Sequence, residues 1–214
     1  MTRVAIVTGG TRGIGEAISL TLRDAEYRVA AGYGGDDERA REFTATTGIA
    51  AWKWDVGDYD ACRDVVGRIE KELGSVDVLA NNAGITRDST MHKMAHQDWT
   101  EVIRTNLSSC FNMSNAVFDG MRSRGFGRIV NIGLVNGQAG QYGQVNYAAA
   151  KSGIHGFTKA LAQEGAGKGI TVNAIAPGYI DTDMVRKVPP NVLEKIVARI
   201  PVGRLGQGVR SRVA

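Results

Sequence analysis

A tyrosine and a lysine at helical spacing could carry out proton transfer in this sequence. Tyr147 and Lys151 lie at the end of the segment VNIGLVNGQAGQYGQVNYAAAK, residues 130–151. Residues i and i+4 lie on the same face of a helix, so the phenol and the ammonium can act together. A free tyrosine has a pKa of roughly 10, and a neighbouring positive charge favours the phenolate and brings that pKa closer to a working pH. On its own, a Tyr-x-x-x-Lys pair is more often an ordinary surface pair.

A glycine-rich segment near the beginning of the chain could bind phosphate. TGGTRGIG, residues 8–15, places glycines at positions 9, 13 and 15 between an apolar run and a helix-period segment. Glycine permits a tight turn and a close approach of the backbone to a ligand, and the beginning of a helix presents free N–H groups to an anion. The alternative is a strand-to-helix turn that binds nothing, but the opening strand and the following helix favour a dinucleotide site.

The end of the second predicted strand bears on which dinucleotide binds. An acidic residue there would favour NAD by accepting hydrogen bonds from the ribose 2′-hydroxyl. The strand ends in AAGYGG and the next acidic residue is Asp36, whereas Arg12 lies in the glycine loop, where its guanidinium could meet a 2′-phosphate. We therefore predict NADP(H), with a solvated Arg12 and NAD as the alternative. Asp55 and Val56 close the third strand and NNAG (81–84) closes the fourth, at the carboxyl ends where open α/β sheets bind ligands.

Alternation of β-rich and helix-period segments predicts the fold that must position these residues. It implies βαβ units and therefore an α/β, Rossmann-type, doubly wound parallel sheet. We predict a single dinucleotide-binding catalytic domain over residues 1–206 and an atypical short tail over 207–214. The predicted strands cover 3–7, 28–33, 50–56, 77–84, 127–133 and 170–178, and the predicted helices cover 13–24, 36–47, 58–73, 97–123, 147–167 and 190–199.

The composition of the 214 residues argues against several classes of protein. The net charge of +4 comes from scattered basic residues, which disfavours nucleic acid and suits a phosphorylated cofactor or an acidic acyl carrier equally well. Cys62 and Cys110 form no CxxC motif and the three histidines have no metal-ligand spacing, so we predict reduced cysteines and no metal. No apolar run reaches the roughly 18 residues of a membrane span, and VAIVTGG is typical of a first strand and not of a signal peptide. We predict a cytoplasmic protein that binds neither nucleic acid nor membrane.

Four motifs together resemble the short-chain dehydrogenase/reductase family. They are the three glycines of residues 8–15, NNAG, the pair Tyr147 and Lys151, and PGYIDTDM (177–184), and the resemblance covers residues 3–206. Within the family, NAGITRD, NGQAGQYGQVNY, GFTKALAQE and PGYIDTDMV look most like the NADPH-dependent acetoacetyl-CoA reductases of polyhydroxyalkanoate synthesis. The 3-oxoacyl-acyl-carrier-protein reductases are similar but typically lack the glutamine-rich GQAGQYGQ.

The resemblance implies a role for each matching residue. Tyr147 matches the general acid that protonates the substrate carbonyl. Lys151 matches the residue that holds the nicotinamide ribose and lowers the pKa of the tyrosine. Asn106 matches the residue that holds a water in a proton relay. The implied cofactor-binding positions are Gly9, Thr11, Arg12, Gly13, Ile14, Gly15, Asp55, Val56, Asn82, Ala83, Gly84, Tyr147, Lys151, Pro177, Gly178 and Ile180. The implied acyl pocket comprises Gln141, Tyr142, Gln144 and Tyr179, which could equally be ordinary loop residues.

The implied substrate is a short 3-oxoacyl thioester carried by CoA or by an acyl carrier protein, and the leading reaction is acetoacetyl-CoA to 3-hydroxybutyryl-CoA. The resemblance also implies a homodimer or homotetramer, paired through the long helices near 97–123 and 147–167.

The sequence departs from the family pattern in two places. Leu134 stands thirteen residues before Tyr147, where family members have the serine whose hydroxyl binds the substrate carbonyl. After IPVGRLG (200–206) the chain reads QGVRSRVA, whereas family members continue with a helix and a last strand, so we expect the sheet to lack that strand. We hypothesise a mutated or incompletely recorded gene product. The resulting alternatives are a reductase with impaired catalysis and a nucleotide-binding pseudoenzyme that acts through subunit contacts.

Overall fold

The computed structural model describes residues 2–186, 188 and 190–208, and a parallel sheet of six strands forms its centre. The strands are β1 (Val4–Val7), β2 (Arg28–Tyr33), β3 (Ala50–Lys53), β4 (Val76–Asn81), β5 (Gly127–Ile132) and β6 (Ile170–Ile175). They lie in the order β3-β2-β1-β4-β5-β6, and every neighbouring pair is parallel. This order confirms the predicted Rossmann-type fold. The strand order reverses between β1 and β4, which is where such sheets bind their ligands.

Helices connect the strands at the positions that the hydrophobic period predicts. They are α1 (Gly13–Asp24), α2 (Asp37–Thr47), α3 (Tyr59–Leu73), α4 (His96–Ile103), α5 (Ser109–Arg124), α6 (Asn136–Ala139), α7 (Val145–Ala166), α8 (Asp183–Arg186) and α9 (Pro190–Val197), with a 3₁₀ turn at Met91–Lys93. Asp36 and Asp58 cap α2 and α3 by accepting a hydrogen bond from the backbone N–H three residues on. Across the described ranges, every helix is too short or too polar to traverse a bilayer.

The single helix predicted over 97–123 is divided by a π-helical turn at Arg104–Ser108. A π turn accommodates one extra residue, changes the phase of the helix that follows, and is frequent at functional sites. Hydrophobic periodicity did not predict this turn, because the apolar residues on either side keep an ordinary helical spacing. The short helices α6 and α8 were also missed.

Apolar side chains cover both faces of the sheet. All four residues of β1 are buried, as expected for a central strand of a parallel sheet with helices on both sides. One cluster joins Ile6, Leu79 and Ile129 to α3 and α5, and a second joins Val7 and Ala31 to the other face. The carboxyl ends of the strands are therefore held rigidly and can position loops.

Four strands end earlier than predicted, at Lys53, Asn81, Ile132 and Ile175. The residues that follow them leave the sheet and form loops at its carboxyl edge, where their backbone groups bond to neighbouring loops. Within the described residues β6 is the last strand. The predicted atypical tail lies outside the described residues from position 209 onward.

Candidate active site

The glycine-rich segment forms a tight loop between β1 and α1. Gly9 and Gly13 have φ angles of 62° and 57°, a region that favours glycine. A Cβ on Gly15 would lie 2.0 Å from the carbonyl oxygen of Gly9, so the helix packs directly on the loop. Arg12 is the N-cap of α1 and makes no side-chain capping bond, which leaves the first N–H groups of the helix open to an anion. This cradle fits a pyrophosphate, and Thr11 and Ile14 lie within it.

Thr8 joins this loop to the one that follows β4. Its Oγ1 accepts hydrogen bonds from the backbone N–H groups of Asn82 (2.9 Å) and Ala83 (3.0 Å). The Asn82 amide in turn donates to the Thr8 carbonyl at 2.9 Å and to the Gly9 carbonyl at 3.2 Å. The structure therefore brings together the predicted residues of both loops. Thr8 was missed as a member of the site, although its position before the first glycine could have indicated it.

Two acidic residues follow β2 at the beginning of α2, and each has a bonding partner within the chain. Asp36 accepts a hydrogen bond from the backbone N–H of Arg39 at 3.0 Å, as the cap of α2. Asp37 pairs with Lys53 at 2.8 Å, and the ammonium and the phenol of Tyr33 hold the pKa of this carboxyl below its usual value. Arg12 is exposed beside the glycine loop. The Arg12 guanidinium therefore gives this part of the cleft a positive group.

Tyr147, Lys151 and Asn106 come together at the carboxyl ends of β4 and β5. Tyr147 and Lys151 lie in the first two turns of α7, both buried, with the Lys151 Nζ 5.7 Å from the centre of the phenol ring. The Nζ donates to the carbonyl oxygen of Ile132, the last residue of β5, at 2.7 Å. Asn106 lies in the π turn and exchanges two hydrogen bonds with the backbone of Ile85, at 2.7 and 2.9 Å. The predicted trio therefore shares one site.

Gly84 is the point where this trio meets the loop after β4. A Cβ on Gly84 would lie 2.8 Å from the Asn106 Oδ1 and 3.8 Å from the Lys151 Nζ. A side chain there would displace the Asn106 amide oxygen and contact the Lys151 ammonium. The glycine that ends NNAG therefore allows the loop to approach the asparagine and the lysine closely.

Burial is the main cause of the pKa shifts of Tyr147 and Lys151. Burial lowers the pKa of the Lys151 ammonium to about 8 and raises the pKa of the Tyr147 phenol to about 12. The charges of Asp88 and Tyr179 raise the pKa of Tyr147 further. The pKa of Tyr147 is thus raised in this structure, because desolvation disfavours the phenolate; the lowering of this pKa by Lys151 stays a prediction. At neutral pH the phenol carries its proton, which is the form a proton donor needs.

The buried lysine predicts a pH-dependent stability. Below pH 8 Lys151 is charged in the folded and unfolded states; between about 8 and its usual 10.5 the folded state releases the proton first. The unfolded state then binds more protons, so the free energy of unfolding rises with pH in this window, by up to roughly 3 kcal/mol. We expect Lys151→Met to remove that rise in urea titrations from pH 7 to 10.5. Lys159→Met, at an exposed position of the same helix, is the matched control, and an unchanged slope in Lys151→Met would contradict the assignment.

Leu134 lies where the resemblance places the serine hydroxyl, and its side chain is part of an apolar cluster. It packs against the buried group of Val102, Tyr147 and Ala150, and its backbone carbonyl accepts from Gly137 at 2.9 Å. Gly133, the preceding residue, has no side-chain donor and is tied to Ile175 by its backbone N–H. Position 134 therefore adds hydrocarbon, and no hydroxyl, to the cluster that contains Tyr147.

The four residues that the resemblance assigns to an acyl pocket differ in their exposure to solvent. Tyr142 is 87% exposed, whereas Gln141, Gln144 and Tyr179 are half-buried. The Gln144 amide donates to Asp88 at 2.8 Å, and Tyr179 lies close enough to Tyr147 to raise the pKa of that phenol. Tyr142 thus points into solvent, whereas Gln144 and Tyr179 border the site.

Asn146 holds the beginning of α7 in place and was missed in the sequence. It is fully buried, and its amide donates to the carbonyls of Arg87 (2.9 Å) and Asp98 (3.3 Å) while its Oδ1 accepts from the backbone N–H of Tyr147. Three segments therefore meet at the residue before the tyrosine. An asparagine next to a predicted catalytic residue could have indicated this role.

The segment with Pro177, Gly178 and Ile180 follows β6 and reaches the glycine loop at Thr182. Ile180 pairs with Gly206, and a Cβ on Gly13 would lie 3.5 Å from the methyl group of Thr182. Thr182, two residues after Ile180, is therefore the residue of this segment that contacts the glycine loop. The described residues contain no group of three or more His, Cys, Asp or Glu that could hold a metal ion.

An apolar groove of about 220 Å³ lies on the outer surface between α5 and α7. Phe111, Phe118, Phe157 and Leu161 line it, and Phe111 is 51% exposed. These are the two long helices that the resemblance assigns to subunit pairing. The groove is separate from the polar site at the carboxyl edge of the sheet.

The chain is similar to known reductases over most of its length. A family model described as short chain dehydrogenase matches residues 3–192. The acetoacetyl-CoA reductase of Rhizobium meliloti (strain 1021) is 62% identical over 208 residues, which are 97% of this chain and 86% of that relative. The acetoacetyl-CoA reductase of Cupriavidus necator is 52% identical over 209 residues, 95% of this chain and 85% of the relative. The 3-oxoacyl-acyl-carrier-protein reductase of Escherichia coli (strain K12) is 44% identical over 206 residues, 95% of this chain and 84% of the relative.

Proposed function

Because this chain belongs to the short-chain dehydrogenase family of oxidoreductases, whose members use nicotinamide cofactors, we propose that it reduces a short 3-oxoacyl thioester with NADPH. The proposed reaction converts acetoacetyl-CoA to 3-hydroxybutyryl-CoA, as in polyhydroxyalkanoate synthesis. The observation that carries the proposal is the convergence of Tyr147, Lys151 and Asn106 beside the loop that follows β4. Identities of 52–62% to acetoacetyl-CoA reductases support CoA over an acyl carrier protein, since the carrier-protein reductase is 44% identical.

The choice of NADP(H) is supported by the charges at the ribose end of the cleft. β2 contains no acidic residue; of the two that follow it, Asp36 caps α2 and Asp37 pairs with Lys53. Arg12 is exposed beside the phosphate cradle and could pair with a 2′-phosphate. Residues of the glycine loop and of the loop after β4 would hold the rest of the cofactor.

In the proposed reaction Tyr147, Lys151 and Asn106 each have a separate role. When bound, the reduced cofactor supplies the hydride that reaches the substrate carbonyl carbon. Tyr147, protonated at neutral pH, donates its proton to the carbonyl oxygen. Lys151 would hold the nicotinamide ribose from its place beside β5, and Asn106 fixes the loop at Ile85 and belongs to the proton relay.

We propose that Leu134 impairs this reaction. A serine hydroxyl at this position would donate a hydrogen bond to the developing oxyanion, whereas leucine has no donor and places hydrocarbon beside Tyr147. Loss of one preorganised donor costs about 10²–10³ in turnover. Chemistry is then slow while cofactor binding is retained.

A nucleotide-binding pseudoenzyme is the second candidate function. The apolar wall at Leu134 favours it, and the groove between α5 and α7 offers a surface for a second copy of the chain. A homodimer or homotetramer paired through these helices is proposed in either case.

The first experiment measures cofactor binding and turnover on the full chain. We expect NADPH to bind at least about tenfold more tightly than NADH, because an arginine–phosphate pair contributes a charged hydrogen bond. We also expect acetoacetyl-CoA to be reduced slowly. Equal affinities would overturn the choice of NADP(H), and the absence of binding by either cofactor would overturn the proposed function.

A further inference from the structure

Asn146 is fully buried at the beginning of α7, and both its amide nitrogen and its amide oxygen are hydrogen-bonded. The nitrogen donates to the carbonyl oxygens of Arg87 at 2.9 Å and Asp98 at 3.3 Å. The oxygen accepts from the backbone N–H of Tyr147 at 2.8 Å. This N–H lies in the first turn of α7, where the helix itself offers no acceptor. Asn146 therefore satisfies a buried N–H of the predicted acid while it binds two other parts of the chain.

The first of these parts is the segment of residues 85–89, which follows β4 and NNAG. Asn106 holds the first residue of the segment through two hydrogen bonds, at 2.7 and 2.9 Å. Asn146 holds the third residue, Arg87, by its carbonyl oxygen. The segment therefore connects Asn106, on which the proposed proton relay depends, to the residue that precedes Tyr147.

The second part is α4. The carbonyl of Asp98 lies near the beginning of this helix, and the helical run continues into the π turn that contains Asn106. The side chain of Arg87 also pairs with Glu101 of α4 at 3.2 Å, which joins the segment 85–89 to the same helix. A displacement of Asn146 would therefore change the position of Tyr147 relative to both supports of Asn106.

We propose that Asn146 is a positioning residue for the acid of the reaction: its amide joins Tyr147 to the segment 85–89 and to α4, and so fixes the phenol relative to Asn106. The inference rests on the proposed function, because it requires Tyr147 to be the proton donor. A displacement of about 1 Å can cost about 10²-fold in rate. The consequence is an effect on kcat with cofactor affinity retained, because Asn146 is not among the proposed cofactor ligands.

Asn146→Asp tests the inference with a side chain of nearly the same shape. It keeps an acceptor for the N–H of Tyr147, but an ionised carboxylate has no hydrogen to donate to the two carbonyl oxygens. Turnover of acetoacetyl-CoA with NADPH is measured in the full chain that carries Leu134→Ser, with and without this second substitution. At pH 8 we expect kcat to fall by about 10²-fold. The KM for acetoacetyl-CoA and the Kd for NADPH should each change by less than about threefold, since neither ligand loses a contact.

A pH profile separates positioning from a loss of packing. A carboxyl group at position 146 would be buried beside two carbonyl oxygens, which raises its pKa above the usual value of roughly 4. Once protonated, it can donate to one of these oxygens, so kcat of Asn146→Asp should recover by at least about tenfold between pH 8 and pH 5.5. Asn146→Leu has no group to titrate and should stay slow throughout. The charged side chains on the joined segments are present in all three chains, so the Leu134→Ser profile is the reference; they are Arg87, Asp88, Asp98 and Glu101.

Amide hydrogen exchange provides a readout that does not depend on turnover. The backbone N–H of Ser89 donates to the carbonyl of Gly143 at 2.8 Å, beside the bond that Asn146 makes to the same segment. Asn146→Asp should increase the exchange rate of the Ser89 amide by at least about tenfold, because the segment loses one of its supports. The Tyr147 amide should stay protected, because its acceptor is retained.

Asn131→Asp is the matched control for the burial of a carboxyl group. Asn131 is also fully buried; its amide donates to the Thr158 hydroxyl at 2.9 Å and its Oδ1 accepts from Asn81 at 2.8 Å. A hydroxyl can donate as well as accept, so Thr158 can bond to the new carboxylate. This variant should change kcat by less than about threefold and should introduce no recovery at low pH.

The outcomes distinguish the inference from the function on which it rests. If the Leu134→Ser chain does not reduce acetoacetyl-CoA, the proposed function fails and the inference fails with it. If that chain is active and Asn146→Asp either keeps its kcat, loses it equally at every pH, or leaves the exchange of the Ser89 amide unchanged, the positioning role is overturned and the proposed function stands.

Discussion

Leu134→Ser is expected to raise the turnover of acetoacetyl-CoA with NADPH by about 10²–10³-fold, the usual contribution of one preorganised donor to an oxyanion. The physical reason is the apolar wall beside Tyr147, to which Leu134 contributes and which the serine hydroxyl would replace with a hydrogen-bond donor. The measurement is the decrease in NADPH absorbance under saturating substrate, with the Kd for NADPH measured in parallel. We expect that Kd to be unchanged, because Leu134 is not among the proposed cofactor ligands.

Two control variants separate the hydroxyl from the loss of bulk. Leu134→Ala removes the hydrocarbon without supplying a donor, so it should recover less than about tenfold if orientation by the hydroxyl is the main effect. Val135→Ser introduces a hydroxyl at the next, half-buried position and should recover nothing. A parent chain that is already as fast as Leu134→Ser would show that position 134 has no such role.

The same experiment decides between the two candidate functions. If Leu134→Ser binds NADPH but stays inactive with acetoacetyl-CoA, the result contradicts the proposed reductase function and supports the pseudoenzyme function. In that case the groove between α5 and α7 becomes the surface to test, by measuring the oligomeric state of a Phe111→Asp variant.

Tyr147→Phe in the Leu134→Ser background is expected to lower kcat by about 10²–10⁴-fold, the range for loss of a general acid. Phenylalanine fills the same buried space but has no proton to donate, so the fold and the Kd for NADPH should change little. The measurement is kcat over pH 6–9, where Tyr147, with a pKa raised to about 12, keeps its proton in the cofactor-free structure.

Tyr142→Phe is the matched control for this substitution. Tyr142 lies five residues earlier and is 87% exposed, so removal of its hydroxyl should change kcat by less than about twofold. Equal losses in the two variants, or full activity in Tyr147→Phe, would contradict the assignment of Tyr147 as the acid.

Much of the fold and part of the site could be predicted from local patterns in the sequence. The alternation of apolar strands and helix-period segments predicted the parallel sheet, because each pattern reflects which face of an element is buried. The glycines at positions 9 and 13 follow from backbone conformations that other residues rarely adopt. The i, i+4 spacing of Tyr147 and Lys151 placed both on one helical face, since helix geometry alone determines it.

Only the tertiary structure decided the environment of those residues. Whether Lys151 lowers the pKa of Tyr147 depends on desolvation, which comes from elements distant in the chain, and here burial raises that pKa. The contacts between Arg104 and Asp55, and between Asn106 and Ile85, join segments 49 and 21 residues apart, so no local pattern predicts them. The sequence thus determined which elements form and which residues reach the carboxyl edge of the sheet. The reason is that the spacing of apolar residues reflects the local backbone geometry and the face that is buried. The electrostatics and the hydrogen-bond partners of the site required the packed structure, because both depend on atoms that folding alone brings together.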